Sequence, residues 1–132
     1  MNAADNSFTI LVVEDNPVNL LLAEEVLQGA GYRTLGAVSA EQAEELIVAQ
    51  LPDLVLMDIR LPGIDGLTLV RKLRSNAVTA GLPIVALTAQ AMAGDEAEAI
   101  AAGCDGYVSK PLRRADLLQT VEGVMRLRQG GR

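Results

Sequence analysis

The sequence predicts an α/β fold in which helices cover both faces of a five-stranded parallel sheet. Short apolar runs alternate with helical patterns five times along the 132 residues. The runs are continuous rather than alternating, as expected for strands that are buried on both faces. Half of the residues are hydrophobic but only 2% are aromatic. We therefore expect one domain with an aliphatic core.

The strands are predicted from the apolar runs and the breaks between them. A Gly-rich break precedes the second run, and proline introduces the fourth. The predicted strands are Phe8–Val13, Arg33–Val38, Asp53–Met57, Pro83–Leu87 and Gly106–Val108. The domain is expected to cover residues 8–127, with flexible tails at 1–7 and 128–132.

The helices are predicted from their periodicity and from the residues at their ends. Pro17 suits a first helical turn. Ser39 and Gln42 form a capping-box pair, and Asp65 is expected to cap the third helix. The predicted helices are Pro17–Gln28, 40–50, Leu67–Arg74, Ala91–Ala102 and Leu112–Leu127.

Apolar spacing in the first and last helices indicates which side chains face the core. In the first helix the predicted inward residues are Val18, Leu21, Leu22 and Val26. In the last helix they are Leu117, Leu118, Val121, Val124 and Met125. The acids of the fourth helix, Asp95, Glu96 and Glu98, are predicted to form a solvated face.

Composition excludes several classes of function. A net charge of −6 argues against direct nucleic-acid binding, and no apolar run is long enough to cross a bilayer. The single cysteine, Cys104, fits a reducing cytoplasm and has no histidine to activate it. The chain has no histidine. If it takes part in phosphoryl transfer from a phosphohistidine, that histidine must lie on another molecule or domain.

Charged and hydroxyl residues follow four of the five predicted strands. Glu14 and Asp15 follow the first strand, Asp58 the third, Thr88 the fourth and Lys110 the fifth. Ligands of open α/β sheets bind beyond the carboxyl ends of the strands. We therefore expect these side chains to share one edge of the sheet.

The strand order 2-1-3-4-5 of flavodoxin-like sheets fits this distribution. It places the second strand, which has no such residue, at the edge and Asp58 in the centre. Asp15 and Thr88 would then lie one strand from Asp58, about 4.8 Å away. Lys110 would lie two strands away, roughly 10 Å, a gap that needs a long side chain.

Three crowded carboxylates favour a hard divalent cation. Glu14, Asp15 and Asp58 would repel one another without compensation, and Mg²⁺ accepts a few carboxylates together with phosphate and water. Such a site suits phosphoryl transfer, with Asp58 as nucleophile. Lys110 would neutralise charge on the transferred group, and Thr88 would donate a hydrogen bond to it.

Four sequence runs resemble the marks of response-regulator receiver domains, of the CheY-like and DivK-like kinds. They are ILVVEDNPVN at 10–19, LVLMDIRLPGIDG at 54–66, IVALTA at 84–89 and DGYVSKP at 105–111. The resemblance extends over residues 8–127. It implies two-component signalling, in which a phosphohistidine donates a phosphoryl group to Asp58.

The resemblance also assigns the metal ligands. It implies that Asp15, Asp58 and the backbone carbonyl of Arg60 bind Mg²⁺ directly, and that Glu14 acts through a bound water. Arg60 stands at a position that varies among receiver domains.

Further roles follow from the same resemblance. It implies that Thr88 is the switch hydroxyl, Tyr107 the switch aromatic and Lys110 the phosphate partner. It also implies a cis peptide before Pro111 and, at Ala89, a small residue that leaves room for the phosphoryl group. From the residues alone, Tyr107 could equally be a core or half-buried ring.

The resemblance implies a histidine kinase or histidine phosphotransfer protein as donor. A downstream protein would bind the face made by helix four, strand five and helix five. No reaction on other substrates is expected beyond the domain's own phosphorylation and dephosphorylation. A stand-alone regulator and a receiver excised from a hybrid histidine kinase are both compatible with the sequence, as is any oligomeric state.

Three alternatives compete with this interpretation. A pseudo-receiver would keep the fold as an interaction module without phosphorylation. Haloacid-dehalogenase-type phosphatases use an Asp nucleophile but resemble D-x-D there, whereas Arg60 stands two positions after Asp58. A flavin- or nucleotide-binding domain needs a phosphate cradle after the first strand, where this chain is acidic and has no G-x-G-x-x-G pattern.

Overall fold

The computed structural model describes residues 8–61, 63, 65–88 and 93–130. Within them, five parallel strands form one sheet in the order β2-β1-β3-β4-β5. The strands are β1 Thr9–Val13, β2 Arg33–Ala37, β3 Leu54–Asp58, β4 Ile84–Thr88 and β5 Gly106–Ser109. This sheet confirms the predicted flavodoxin-like topology.

A helix follows each strand in the described chain. The helices are α1 Pro17–Gly29, α2 Ala40–Ala49, α3 Gly66–Arg74, α4 Ala93–Ala102 and α5 Arg114–Gly130. The last helix begins two residues later than predicted and runs beyond Leu127 into the predicted tail. Ala89, the predicted helix residues 91 and 92, and the tail 1–7 lie outside the described residues. Among the described helices, none is both long and apolar enough to span a membrane.

The register of the sheet brings the strand ends to one level. Val13 pairs with Met57 across β1 and β3, so Glu14 and Asp58 are the next residues along two neighbouring strands. Thr88 pairs with Ser109 across β4 and β5. Both Asp58 and Thr88 are the final residues of their strands rather than loop residues.

The sheet separates two hydrophobic clusters, because alternate residues of a strand point to opposite faces. Leu11 and its same-face neighbours pack with buried residues of α2, α3 and α4. Ile10 and its same-face neighbours pack with α1 and α5. In α5 the buried residues are Leu117, Val121, Val124 and Met125, and the half-buried Leu118 packs against them. The predicted inner face of α5 is thus confirmed.

The predicted inner face of α1 is wrong for three of its four residues, whereas the fourth, Val26, is partly buried and packs against the core. Val18, Leu21 and Leu22 are 72%, 57% and 40% exposed. The helix instead buries Ala23 and Leu27. Both sets of residues follow helical spacing, and the small side chain of Ala23 lets the helix lie close to the sheet.

The predicted helix caps are confirmed. Gln42 N–H donates to Ser39 Oγ at 3.1 Å, and Val38 N–H donates to Gln42 Oε1 at 2.8 Å. At the start of α3, Thr68 N–H donates to Asp65 Oδ1 at 2.8 Å. This bond to the Asp65 carboxylate lowers the pKa of Asp65. The cap holds α3 beside the loop that follows Asp58.

Arg74, the last residue of α3, joins the loops at the amino ends of β4 and β5. Its Nε donates to Gly103 O at 2.9 Å, and its Nη1 donates to Leu82 O at 2.6 Å and Ala80 O at 3.0 Å. Its Nη2 pairs with Asp105 Oδ2 at 3.0 Å. One guanidinium thus satisfies three carbonyls and a carboxylate.

Replacing Arg74 with alanine is expected to lower the free energy of unfolding by about 3 kcal/mol, because several charge-assisted hydrogen bonds are lost together. Urea denaturation measures this change. Lys72→Ala is the matched control, since in the Lys72–Glu44 pair at 2.7 Å the lysine is exposed, and the pair should contribute about 0.5 kcal/mol. Equal losses in the two variants would contradict a structural role for Arg74.

Candidate functional site

Three carboxylates meet at the carboxyl edge of the sheet. Glu14, Asp15 and Asp58 each offer an oxygen, and these oxygens lie within 4.8 Å of one another. Glu14 is 1% exposed and Asp58 is 2% exposed, whereas Asp15 is exposed. The site therefore has two buried carboxylates and one at its mouth.

Asp58 is held by the backbone that follows it. Arg60 N–H donates to Asp58 Oδ1 at 2.9 Å. Gly66, the first residue of α3, lies against the Asp58 backbone so closely that a Cβ on Gly66 would be 2.3 Å from Asp58 O. The missing side chain of Gly66 lets α3 pack directly behind the acidic residue.

Lys110 reaches across the sheet edge as predicted for a long side chain. Its Nζ lies 2.9 Å from Asp58 Oδ2 and 3.0 Å from Glu14 Oε1. Its backbone N–H donates to Thr88 O at 2.8 Å. The peptide between Lys110 and Pro111 is cis, which confirms that expectation.

Lys110 is a cation in this environment. Burial alone lowers the pKa of Lys110, but its bonds to Asp58 and Glu14 outweigh the burial and raise that pKa above its usual value. A lysine fixed between two buried carboxylates offsets part of their mutual repulsion. Because one lysine faces three carboxylates, the cluster keeps a net negative charge, which favours binding of a cation.

Burial raises the pKa of Glu14, and the charge of Asp58 raises it further. The bonds from Lys110 and from Asn16 N–H act in the opposite direction without cancelling the rise. When folding raises the pKa of an acid, its protonated form adds to the free energy of unfolding. For Glu14 this contribution is complete below the ordinary pKa of 4.5, and it is lost as the pH rises through the folded-state pKa.

Glu14→Gln is therefore expected to raise the Tm of the metal-free protein at pH 7.5, because the neutral amide removes a buried charge. The gain should shrink as the pH approaches 4.5, the ordinary pKa of the carboxyl. Thermal unfolding in EDTA at both pH values measures it. A Tm that falls at pH 7.5 would mean that the Glu14–Lys110 pair outweighs the burial of the charge.

Thr88 and Tyr107 lie on the neighbouring strands β4 and β5, with Thr88 at the strand end and Tyr107 paired with Ala86. Thr88 is fully buried, and its Oγ1 has no hydrogen-bond partner among the residues that the structure describes. Buried hydroxyls without partners are rare, so the Thr88 hydroxyl is able to bond a group that binds at this edge of the sheet. Tyr107 is 41% exposed, so its ring is neither core nor fully solvated.

The side chain of Arg60 pairs with Asp95 of α4. The contact joins Nη2 to Asp95 Oδ1, and a second bond joins Nε to Oδ2 at 3.4 Å. The prediction of a solvated acid at Asp95 is wrong, because its side chain is 2% exposed. The guanidinium compensates the buried charge, and Asp95 in turn raises the pKa of Arg60. Glu98 is exposed and Glu96 half-buried.

The donor set of the cluster suits Mg²⁺. Its atoms are hard carboxylate oxygens, and among the described residues the contact of Glu14 Oε1 is its ion pair with Lys110. Mg²⁺ in proteins favours one or two carboxylates with water and phosphate. The residues present are therefore compatible with a magnesium site.

The sequence profile of the response regulator receiver domain matches residues 10–122. The chain belongs to this family. It is 34% identical over 117 residues to the polar-differentiation response regulator DivK of Brucella ovis, covering 89% of this chain and 95% of that protein.

Solved structures of receiver domains have the same fold. A response regulator from Chloroflexus aurantiacus is 37% identical, with a TM-score of 0.88 over 91% of this chain and 98% of that one. The receiver domain of a sensor histidine kinase from Pseudomonas aeruginosa is also 37% identical, with a TM-score of 0.81 over 95% and 99% of the two chains. That structure has a magnesium ion coordinated in its active site cleft.

Sequence reasoning found the residues of the cluster but missed the Arg60–Asp95 pair. An acid in the first turn of a helix ordinarily needs no partner, so no local sequence signal indicates that Asp95 is buried. Cys104 is buried, and burial raises the pKa of its thiol to about 11. This environment supports the prediction that Cys104 has no reactive role.

Proposed function

We propose that this receiver domain takes a phosphoryl group onto Asp58 from a phosphohistidine of a histidine kinase or histidine phosphotransfer protein. The observation that carries the proposal is the placement of Lys110 Nζ 2.9 Å from Asp58 Oδ2, inside a cluster of three carboxylates. This arrangement puts a buried carboxylate, the proposed nucleophile, beside a fixed cation. Two-component signalling is the activity that the family membership supports.

In the proposed reaction a carboxylate oxygen of Asp58 bonds to phosphorus. The bond from phosphorus to the imidazole nitrogen of the donor breaks, and its electron pair leaves with the imidazole. Lys110 neutralises charge on the transferred group. The Thr88 hydroxyl donates its hydrogen bond to a phosphoryl oxygen. The fold supplies position and charge rather than an acid or base.

Magnesium is proposed as the cofactor. Asp15, Asp58 and the backbone carbonyl of Arg60 would hold the ion, with Glu14 acting through a water. When bound, the ion would supply positive charge that offsets the crowded carboxylates and the incoming phosphoryl oxygens. The acidic cluster supports this assignment, as does the magnesium in the Pseudomonas aeruginosa receiver domain.

The proposed output is a change of protein binding, without catalysis on other substrates. Thr88 would move to the phosphoryl group, and Tyr107 would turn inward. The affected face comprises α4, β5 and α5, where Tyr107, Val124 and Leu127 line an apolar groove. A downstream protein would recognise this face.

Intact-mass analysis with acetyl phosphate and Mg²⁺ tests the proposal. We expect one phosphoryl adduct on the wild type, and none on Asp58→Asn or in EDTA. The Asn side chain keeps the shape of the aspartate and removes the nucleophile. Absence of any adduct on the wild type, together with failure to bind beryllofluoride, would favour the pseudo-receiver alternative.

A further inference from the structure

Arg60 connects the acceptor loop to the first turn of α4. Its backbone N–H bonds Asp58 Oδ1 at 2.9 Å, while its guanidinium forms a two-point pair with Asp95. Two-point pairs between a guanidinium and a carboxylate are among the strongest charge-assisted contacts. One residue thus bonds the acceptor with its backbone and a buried α4 carboxylate with its side chain.

The two members of this pair depend on each other unequally. The Arg60 side chain is 58% exposed, and the Asp95 side chain is 2% exposed. The half-exposed guanidinium of Arg60 can leave the ion pair and be hydrated by water. A buried carboxylate without its partner is strongly disfavoured, and the surrounding helix must move or admit water.

Phosphorylation would create a competitor for the guanidinium. A phosphoryl group brings up to about two negative charges and three acceptor oxygens. Arginine binds phosphate with the same two-point geometry that it uses for carboxylate. The backbone of Arg60 is already anchored at Asp58, so the competing group would appear beside the base of its side chain.

We infer that Arg60 exchanges Asp95 for the phosphoryl group when Asp58 is modified, and that the unpaired Asp95 then displaces the first turn of α4. The inference rests on the proposed function, since it needs a phosphoryl group on Asp58. Asp95 acts only through Arg60 and is a positioning residue: it holds the guanidinium away from the unmodified acceptor.

Binding of the phosphoryl group and formation of the Arg60–Asp95 pair are thermodynamically coupled, and such coupling is reciprocal. If the phosphoryl group weakens the Arg60–Asp95 pair, loss of that pair must strengthen binding of the phosphoryl group by the same factor. Asp95→Asn keeps the size of the side chain and removes its charge. It should therefore free Arg60 for the modified acceptor.

Titration of the full chain with beryllofluoride in Mg²⁺, followed by amide NMR, tests this consequence. We expect Asp95→Asn to bind this phosphoryl mimic about tenfold more tightly than the wild type, within the usual range of coupling. The double variant Arg60→Ala/Asp95→Asn should bind no more tightly than Arg60→Ala. Glu98→Gln is the matched control, because Glu98 is an exposed acid of the same helix with a weaker charge interaction with Arg60.

Amide hydrogen exchange in α4 provides a readout that does not depend on affinity. In the wild type, the mimic should speed exchange at the start of Ala93–Ala102 about tenfold. In Arg60→Ala that exchange should already be fast and should not change further. If the wild type binds the mimic while α4 exchange and the Asp95→Asn affinity stay unchanged, the exchange of partners is overturned and the proposed function stands. If the wild type neither binds the mimic nor acquires an adduct, both fail.

Discussion

Gly66→Ala is expected to destabilise the protein by about 3 kcal/mol or more. The added Cβ would meet Asp58 O at 2.3 Å, Ile59 Cα at 2.8 Å and Asp58 C at 3.0 Å. All three are backbone atoms, which cannot turn aside as a flexible side chain would. Overpacking of this kind forces the backbone to shift. Because the shift falls on Asp58, phosphorylation should be impaired together with stability.

Gly123→Ala is the matched control for this prediction. A Cβ on Gly123 would meet nothing within 4 Å, and the residue lies inside α5. Alanine there should stabilise the protein by about 0.5–1 kcal/mol, since it reduces the entropy lost on folding. Chemical denaturation compares the two variants. A Gly66→Ala protein as stable as the wild type would show that α3 does not rest on the Asp58 backbone.

Lys110→Met is expected to slow phosphorylation of Asp58 by about 10²–10³-fold, the usual effect of removing one donor that stabilises charge in a transition state. The variant keeps an unbranched side chain of similar length and removes the cation bonded to Asp58 and Glu14. The rate of adduct formation with acetyl phosphate and Mg²⁺ measures the effect.

Two controls distinguish the loss of the Lys110 charge from a loss of the folded structure. Lys72→Met makes the same change on an exposed part of α3 and should leave the rate unaltered. Circular dichroism of Lys110→Met would show whether the fold survives. A folded Lys110→Met protein that is phosphorylated at the wild-type rate would remove Lys110 from the proposed mechanism.

The sheet and the edge that carries the site were predictable because they depend on local signals. Each buried strand is a continuous apolar run, and the polar residue that ends it is next in sequence. The flavodoxin-like strand order fits this pattern, because it places the one strand without such a residue at the edge. The length of the Lys110 side chain matches the distance that it must cover. Lys110 spans two strands to reach Asp58, and the 2.9 Å bond between Nζ and Oδ2 confirms this.

The parts that sequence reasoning missed depend on distant partners. In α1 two sets of apolar residues share helical spacing, and only the approach to the sheet decides that Ala23 and Leu27 are buried while Leu21 is exposed. Asp95 is buried because Arg60, 35 residues away, neutralises it. Neither burial pattern can be predicted from the residues of a single helix.

The environment of the single cysteine has a practical consequence for spectroscopy. Thiolates are the species that react with maleimides, and a buried thiol with a pKa of about 11 supplies almost none at neutral pH. A cysteine introduced at the 88%-exposed Val48, in α2, would react selectively beside it. Cys104 could then remain in place, and one dye per molecule would report on this receiver domain with its core packing intact.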